Sequence, residues 1–224
     1  MLVVGVDTST PAVTVGLANL APYRVYMLAE RRSVDARAHG ELLAPSIAAV
    51  LAEIGATARD LTAVVAGVGP GPFTGLRVGL VTAATIGQAV GIPTYGVCSL
   101  DALGALTSGT TLVATDARRK EIYWAAYDKG VRLTDPAVDR PADVTTILAE
   151  RGIAPVAAVG DGALLYAEAL SVPVLDDPRY PSPAALIELA AERVRAGAPG
   201  EILTPLYLRR PDAVEPAGRK PVRQ

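Results

Sequence analysis

Apolar and polar positions follow two different periods along the first half of the chain. Leu2–Thr8 is a short apolar run ending on Asp7, and the turn Ser9-Thr10-Pro11 follows it. Ala12–Leu20 sets Val13, Val15 and Leu17 against Thr14, Gly16 and Ala18, and Tyr23–Arg31 is rich in Val, Tyr and Leu. This pattern predicts three strands in a meander. The period then lengthens, with Leu43, Ile47, Val50, Leu51 and Ile54 falling on one stripe of a helix. Gly55 is placed to end that helix, and Pro45 is expected to kink its first turns. Ala63–Val68 reads as a fourth strand and Gly69–Thr74 as a Gly/Pro turn with Thr74 as N-cap. Gly75–Val90 reads as a second helix.

That second helix is unusual. Gly75, Gly79, Ala83, Gly87 and Gly91 recur every fourth residue, and only Arg77 is charged between Gly75 and Gly91. Each interior glycine costs about 1 kcal/mol of helix propensity against alanine. A row that keeps several of them predicts close approach of another backbone along the i±4 ridge. Leu80, Val81, Ala84, Ile86 and Val90 make the other faces apolar too. Such a helix is either internal to its own lobe or half-exposed until a partner covers it.

The opening pattern recurs. Val113-Ala114-Thr115-Asp116-Ala117-Arg118 leads into Ile122–Asp128 as Val4–Ser9 leads into Val13–Asn19, with the same spacing from Asp to strand. A helix at Pro141–Arg151, a strand at Val156–Gly160 and helices at Ala163–Leu170 and Pro183–Ala196 complete a second half, which argues for duplication. The expected division is a first lobe 1–96, a second lobe 97–196 and a C-terminal segment 197–224. The end of that segment, Pro211–Gln224, is Pro-, Gly- and charge-rich and expected to be disordered. Two α/β lobes, each opening on a hairpin with Asp at its base, resemble the actin, hexokinase and heat-shock-70 superfamily. That resemblance implies a duplicated, ribonuclease-H-like actin-like ATPase fold in which each lobe is a mixed sheet with flanking helices. There the two hairpins grip nucleotide phosphates and the Asp side chains act through a metal.

Composition narrows the function. The chain has 224 residues, half of them hydrophobic, and a formal net charge of -2. Unaided nucleic-acid binding normally needs a basic field, so direct binding is not expected. One cysteine, Cys98, and one histidine, His39, leave no disulfide and little for a zinc site. The N-terminus lacks the basic region of a signal peptide, and the apolar stretch Val78–Val97 is interrupted by glycines and Pro93. A cytoplasmic protein without membrane span, metal or cofactor is the expectation. Gly69-Pro70-Gly71-Pro72-Phe73-Thr74-Gly75 has neither the Gly-Lys-Ser/Thr of a P-loop nor G-x-G-x-x-G spacing.

Several segments together resemble the bacterial TsaB (YeaZ) family. They are Asp7-Thr8-Ser9-Thr10, His39-Gly40-Glu41-Leu42-Leu43-Ala44-Pro45, Gly69–Gly79, Asp116–Tyr123, Val159–Ala163 and Pro205-Leu206-Tyr207-Leu208-Arg209. The match runs to about residue 210 and departs at Pro72, where the family usually has Ser. The resemblance implies a non-catalytic scaffold or activator for a TsaD-like paralogue, with a TsaE-like ATPase, in threonylcarbamoyl transfer to the tRNA adenosine next to the anticodon. The tRNA would be met only through the complex, and the chain alone would form a homodimer. Pairing would use first-lobe helices, which places His39, Leu42, Leu43, Leu76, Arg77, Gly79, Leu80, Ala83 and Gly87 at the partner surface. TsaD carries a metal-binding His-x-x-x-His where this chain has Ser99 and Leu103, and leucine cannot ligate a metal. Asp7, Thr8, Ser9, Asp116 and Arg118 are the candidates for nucleotide or phosphate contact, Arg118 heading the basic triplet Arg118-Arg119-Lys120. The bland alternative is a vestigial hairpin whose Asp caps local backbone N–H groups. The functional alternative is a stand-alone ATP-dependent phosphotransferase using Asp7 and Asp116 around Mg-ATP.

Overall fold

The computed structural model describes residues 1–209. Strands β1 (Leu2–Asp7), β2 (Ala12–Leu20) and β3 (Val25–Val34) form the antiparallel meander. Helix α1 (His39–Glu53) leads to β4 (Ala63–Gly67), and helix α2 (Phe73–Val90) leads to β5 (Thr94–Val97). Both strands lie parallel to β1's free edge, giving the order β3-β2-β1-β4-β5. Val4, Val6, Val15 and Leu17 pack under Leu43, Ile47, Leu76 and Leu80 of the two helices.

Helix α3 (Ser99–Gly104) carries the chain into the second sheet. There β6 (Thr110–Asp116) and β7 (Ile122–Asp128) form a hairpin, and β8 (Val131–Arg132) and β9 (Ala137–Asp139) both pair with β7. After helix α4 (Pro141–Glu150), β10 (Ala157–Val159) joins β6 in parallel, and α5 (Asp161–Leu165) follows. The equivalent of β5 is reduced to a single parallel bridge, Ala158 to Val174. Each lobe is thus a mixed sheet with helices, the actin-like arrangement expected, with the second copy abbreviated.

Helix α6 (Pro183–Arg195) corrects the expected division of lobes. Leu186, Ile187 and Ala190 pack on Val3, Val65 and Tyr95, so α6 covers the second face of the first sheet. Gly16 makes room for it: a Cβ there would stand 2.5 Å from Cβ of Pro183. The expected division at 96 assigned α6 to the second lobe, whereas it completes the core of the first. The described end of the chain is a strap. Glu201 N–H donates to Thr94 O at 2.7 Å and Leu206 N–H to Val68 O at 2.8 Å. Arg209 then reaches Ala117 O of the second hairpin at 2.9 Å. The tail Pro211–Gln224, expected to be disordered, lies outside the described residues.

Local expectations differ in instructive places. Helix α1 runs unbroken through Pro45, which is exposed. Helix α2 starts at Phe73 with Pro72 at its cap, so Thr74 sits inside the first turn and caps nothing. The expected helix Ala163–Leu170 is α5 followed by a 3-10 turn at Ala167–Ala169. The two hairpins differ by one residue, because Asp7 pairs opposite Thr14 but Asp116 opposite Ile122.

Candidate functional site

The first hairpin turns its polar groups inward. Asp7 is buried; its Oδ1 accepts from Ser9 N–H and Ser9 Oγ, both at 2.8 Å, and its Oδ2 accepts from Ser99 Oγ at 2.5 Å. Burial raises the Asp7 carboxyl above its ordinary range, against the opposing pull of the Ser99 and Ser9 hydrogen bonds and of His39. Ser99 Oγ also accepts from Gly69 N–H at 3.1 Å, and Ser99 N–H donates to Gly69 O at 2.8 Å. The Gly-rich turn is thereby tied to the base of β1. Thr8 is occupied as well. Its Oγ1 donates to Gly75 O at 2.8 Å and accepts from Gly79 N–H at 3.0 Å. A hydroxyl has entered the i to i-4 ladder of α2, so this helix is seated on β1 through Thr8.

The small-residue row is used by the chain itself. A Cβ on Gly79 would collide with Thr8 Oγ1, and one on Gly87 would lie 2.5 Å from Cγ2 of Thr94. Gly75, Leu76, Gly79, Leu80, Ala83 and Gly87 are the buried residues of α2. His39 is buried with Nε2 at 2.8 Å from Thr10 O, Leu43 is in the core, and Leu42 is half-buried against it. Of the nine positions expected at a partner surface, only Arg77 is exposed. The row did signal close approach, but what approaches is Thr8, just past β1, and Thr94 of β5.

What remains open on α2 is the opposite face, formed by Val81, Ala84, Thr85, Gln88 and Ala89, none charged. Helix α1 beside it exposes Ala44, Pro45, Ala48 and Ala49. Helix α2 is long and apolar enough to cross a membrane by length and composition, yet its buried stripe already covers the first sheet.

The second hairpin repeats the first at one atom and then diverges. Asp116 Oδ1 accepts from Arg118 N–H at 2.9 Å, as Asp7 Oδ1 does from Ser9. Both hairpin acids thus cap a local N–H two residues on. Asp116, however, is only half-buried, with Arg118 Nε 3.7 Å from Oδ2. Arg118, Arg119 and Lys120 are exposed and lie at φ 63, 55 and 63. Non-glycine residues pay roughly 1 kcal/mol each in that region. Opposite the turn, Phe73 stacks on Tyr207 with centroids 5.2 Å apart, and Arg77 lies 3.7 Å over the Phe73 ring while its Nε donates to Tyr207 Oη at 2.8 Å. Arg209 pairs with Glu121. Turn, helix start and strap enclose a groove of about 420 Å³ lined by Gly71, Phe73, Arg118, Tyr207 and Arg209. Two motif segments far apart in sequence, Gly69–Gly79 and Pro205–Arg209, therefore meet in one place.

Beneath the second hairpin, Asp161 is buried with Oδ1 lacking a partner. Burial pushes its carboxyl up to about 6, the Asp116 charge adding to this and the Asp116 and Gly162 N–H groups opposing it. No group of three or more His, Cys, Asp or Glu side chains placed to share a metal ion occurs among the described residues.

Comparison with known proteins accords with this geometry. The family model "TsaD: tRNA N6-adenosine threonylcarbamoyltransferase" matches residues 32–175. The solved structure of YeaZ from Pseudomonas aeruginosa superposes with a TM-score of 0.73 at 27% identity, covering 92% of this chain and 99% of that one. The tRNA threonylcarbamoyladenosine biosynthesis protein TsaB of Escherichia coli is 32% identical over 58% of this chain and 56% of its own length. The chain belongs to the TsaB/YeaZ branch of the TsaD family. An uncharacterized protein of Mycobacterium tuberculosis is 50% identical over 94% of this chain and 93% of its own. The TsaD metal does not fit here: Ser99 Oγ is engaged with Asp7, and Leu103 is a fully buried core residue.

Proposed function

We propose that this TsaB/YeaZ-family chain is a non-catalytic subunit that pairs with a TsaD-like paralogue and positions it for threonylcarbamoyl transfer, with a TsaE-like ATPase joining the assembly. One observation carries the reading: the middle of the outward face of α1 and α2 is uncharged, with Val81 63% exposed and the exposed charges Glu41, Glu53 and Arg77 confined to its ends. A partly apolar helix face with its charges at the rim suits a protein partner better than water. In isolation the same face is covered by a second copy, giving a homodimer. Both hairpin acids are capped by their own chain, which supports a subunit without nucleotide chemistry of its own. The reaction is that of the cytoplasm, where its tRNA substrate is found.

Size-exclusion chromatography of the chain mixed with its cognate TsaD-like paralogue tests this. Co-elution is expected, and Val81→Arg with Thr85→Arg is expected to abolish it while leaving the circular dichroism spectrum unchanged. Two unshifted peaks at micromolar concentration would remove the reading.

A further inference from the structure

The second hairpin turn concentrates charge that the chain as a whole lacks. Arg118, Arg119 and Arg209 line the groove, Lys120 follows them in the turn and Arg77 lies over the rim ring of Phe73, in the neighbourhood of the Asp116 and Glu121 carboxylates. The whole chain carries a formal net charge of -2. The turn is also held rigid. Asp116 accepts from Arg118 N–H, Glu121 N–H donates to Arg118 O at 3.0 Å, and Arg209 ties both Ala117 O and Glu121 to the strap.

Three consecutive left-handed positions are places where Gly or Asn would be favoured. Long cationic side chains there are retained against the backbone's preference, and backbone strain of this sort gathers where a side chain has work outside the fold. A cluster of one sign, fixed in place on a chain of opposite net sign, makes a local field that selects a polyanion. The rim aromatics Phe73 and Tyr207, 46% and 39% exposed, suit a ligand with planar groups beside its charges.

We infer that this turn and the groove beside it contact the phosphate backbone of an RNA strand directly. The inference rests on the role in tRNA modification proposed above and goes beyond it, because RNA is then met by this chain and not only through its partners. Arg118, Arg119 and Lys120 supply phosphate contacts that fix position without reading sequence. An acidic protein segment is the competing occupant.

The test uses the full chain and a fluorescently labelled tRNA transcript, followed by anisotropy between about 50 and 200 mM salt. The comparison variant is Arg119→Gly with Lys120→Gly, since glycine adopts φ 55 and 63 without strain. The wild-type chain is expected to bind with affinity that falls as salt rises. The variant is expected to bind more weakly, with the log–log salt slope reduced by roughly 1.4 for two lost phosphate contacts, while its thermal midpoint stays the same or rises. Unlabelled RNA is expected to displace the transcript far better than poly-glutamate. Wild-type and variant chains with equal affinity and slope, no binding at the lowest salt, or poly-glutamate competing as well as RNA would each overturn the inference. Paralogue pairing of the same variant is measured in parallel. If pairing fails for the wild-type chain while RNA binding is lost only in the variant, the subunit reading falls and the RNA contact stands.

Discussion

Ser99 donates its hydroxyl to Asp7 across 2.5 Å, joining the start of α3 to the end of β1. In this lobe the acid that could reach a metal-bound nucleotide instead organises the Gly-rich turn, because the same hydroxyl also receives Gly69 N–H.

Removing that hydroxyl isolates its contribution. Ser99→Ala leaves Gly69 N–H and Asp7 Oδ2 buried without their partner, and an orphaned buried group costs about 1–3 kcal/mol. A stability loss of at least ~2 kcal/mol in urea denaturation is expected. A loss within experimental error would mean that Asp7 is not held as described. Calorimetry of the isolated chain with Mg-ATP is expected to show no micromolar binding. Clear binding that vanishes in Asp7→Ala would restore the phosphotransferase alternative.

The buried and exposed faces of α2 separate folding from pairing. Gly79→Arg and Ala83→Trp drive side chains into Thr8 and the first-lobe core, where overpacking typically costs 1–3 kcal/mol or more. Both should lower the thermal midpoint sharply, whereas Val81→Arg should not. Equal midpoints for all three would show that the small-residue row does not seat the helix.

Asp161 sets a pH dependence. Its carboxyl sits at about 6 in the folded chain against an ordinary 3.8, so the folded state holds the proton more tightly. Its stabilising contribution is therefore full below about pH 4 and is lost as pH rises through about 6, by at most ~3 kcal/mol. Asp7 shifts in the same direction. Asp161→Asn is expected to be more stable than the wild-type chain at pH 7 and to flatten the denaturation midpoint between pH 4 and 6. A variant that follows the wild-type pH profile would locate the titration elsewhere.

Tyr207 fastens the strap. Tyr207→Ala removes the Phe73 stack and the Arg77 hydrogen bond together, and Tyr207→Phe removes only the latter. Amide exchange at Leu206, which donates to Val68 O, should accelerate in the alanine variant and change little in the phenylalanine one. Unchanged exchange in both would mean that the strap is held by its backbone bonds alone.

The meander, α1, β4, α2 and the repeated hairpin were legible because each is long enough to display its period. Elements such as β5, α3, β8 and β9 were not, since strands and helices of two to six residues carry no resolvable period. The glycine row gave the right physics and the wrong neighbour. Sequence spacing reports that something comes close to Gly79 without saying that it is Thr8. Asp7 and Asp116 were both legible as turn acids, but Asp7 is also bound by Ser99, a residue ninety-two positions away that carries no local signal. The Phe73–Tyr207 contact joins two motifs whose separation hid their adjacency.

The placement of α6 has a consequence for the order in which the molecule can be built. Val3, Val65 and Tyr95 leave the ribosome long before Ile187 and Ala190, which cover them. Until then the first sheet is a half-lidded layer with an oily underside, and non-local closure of this kind is slow and prone to wrong association. The nascent chain thus depends on α6 to become soluble, and a product ending before Pro183 would expose an adhesive sheet to its neighbours.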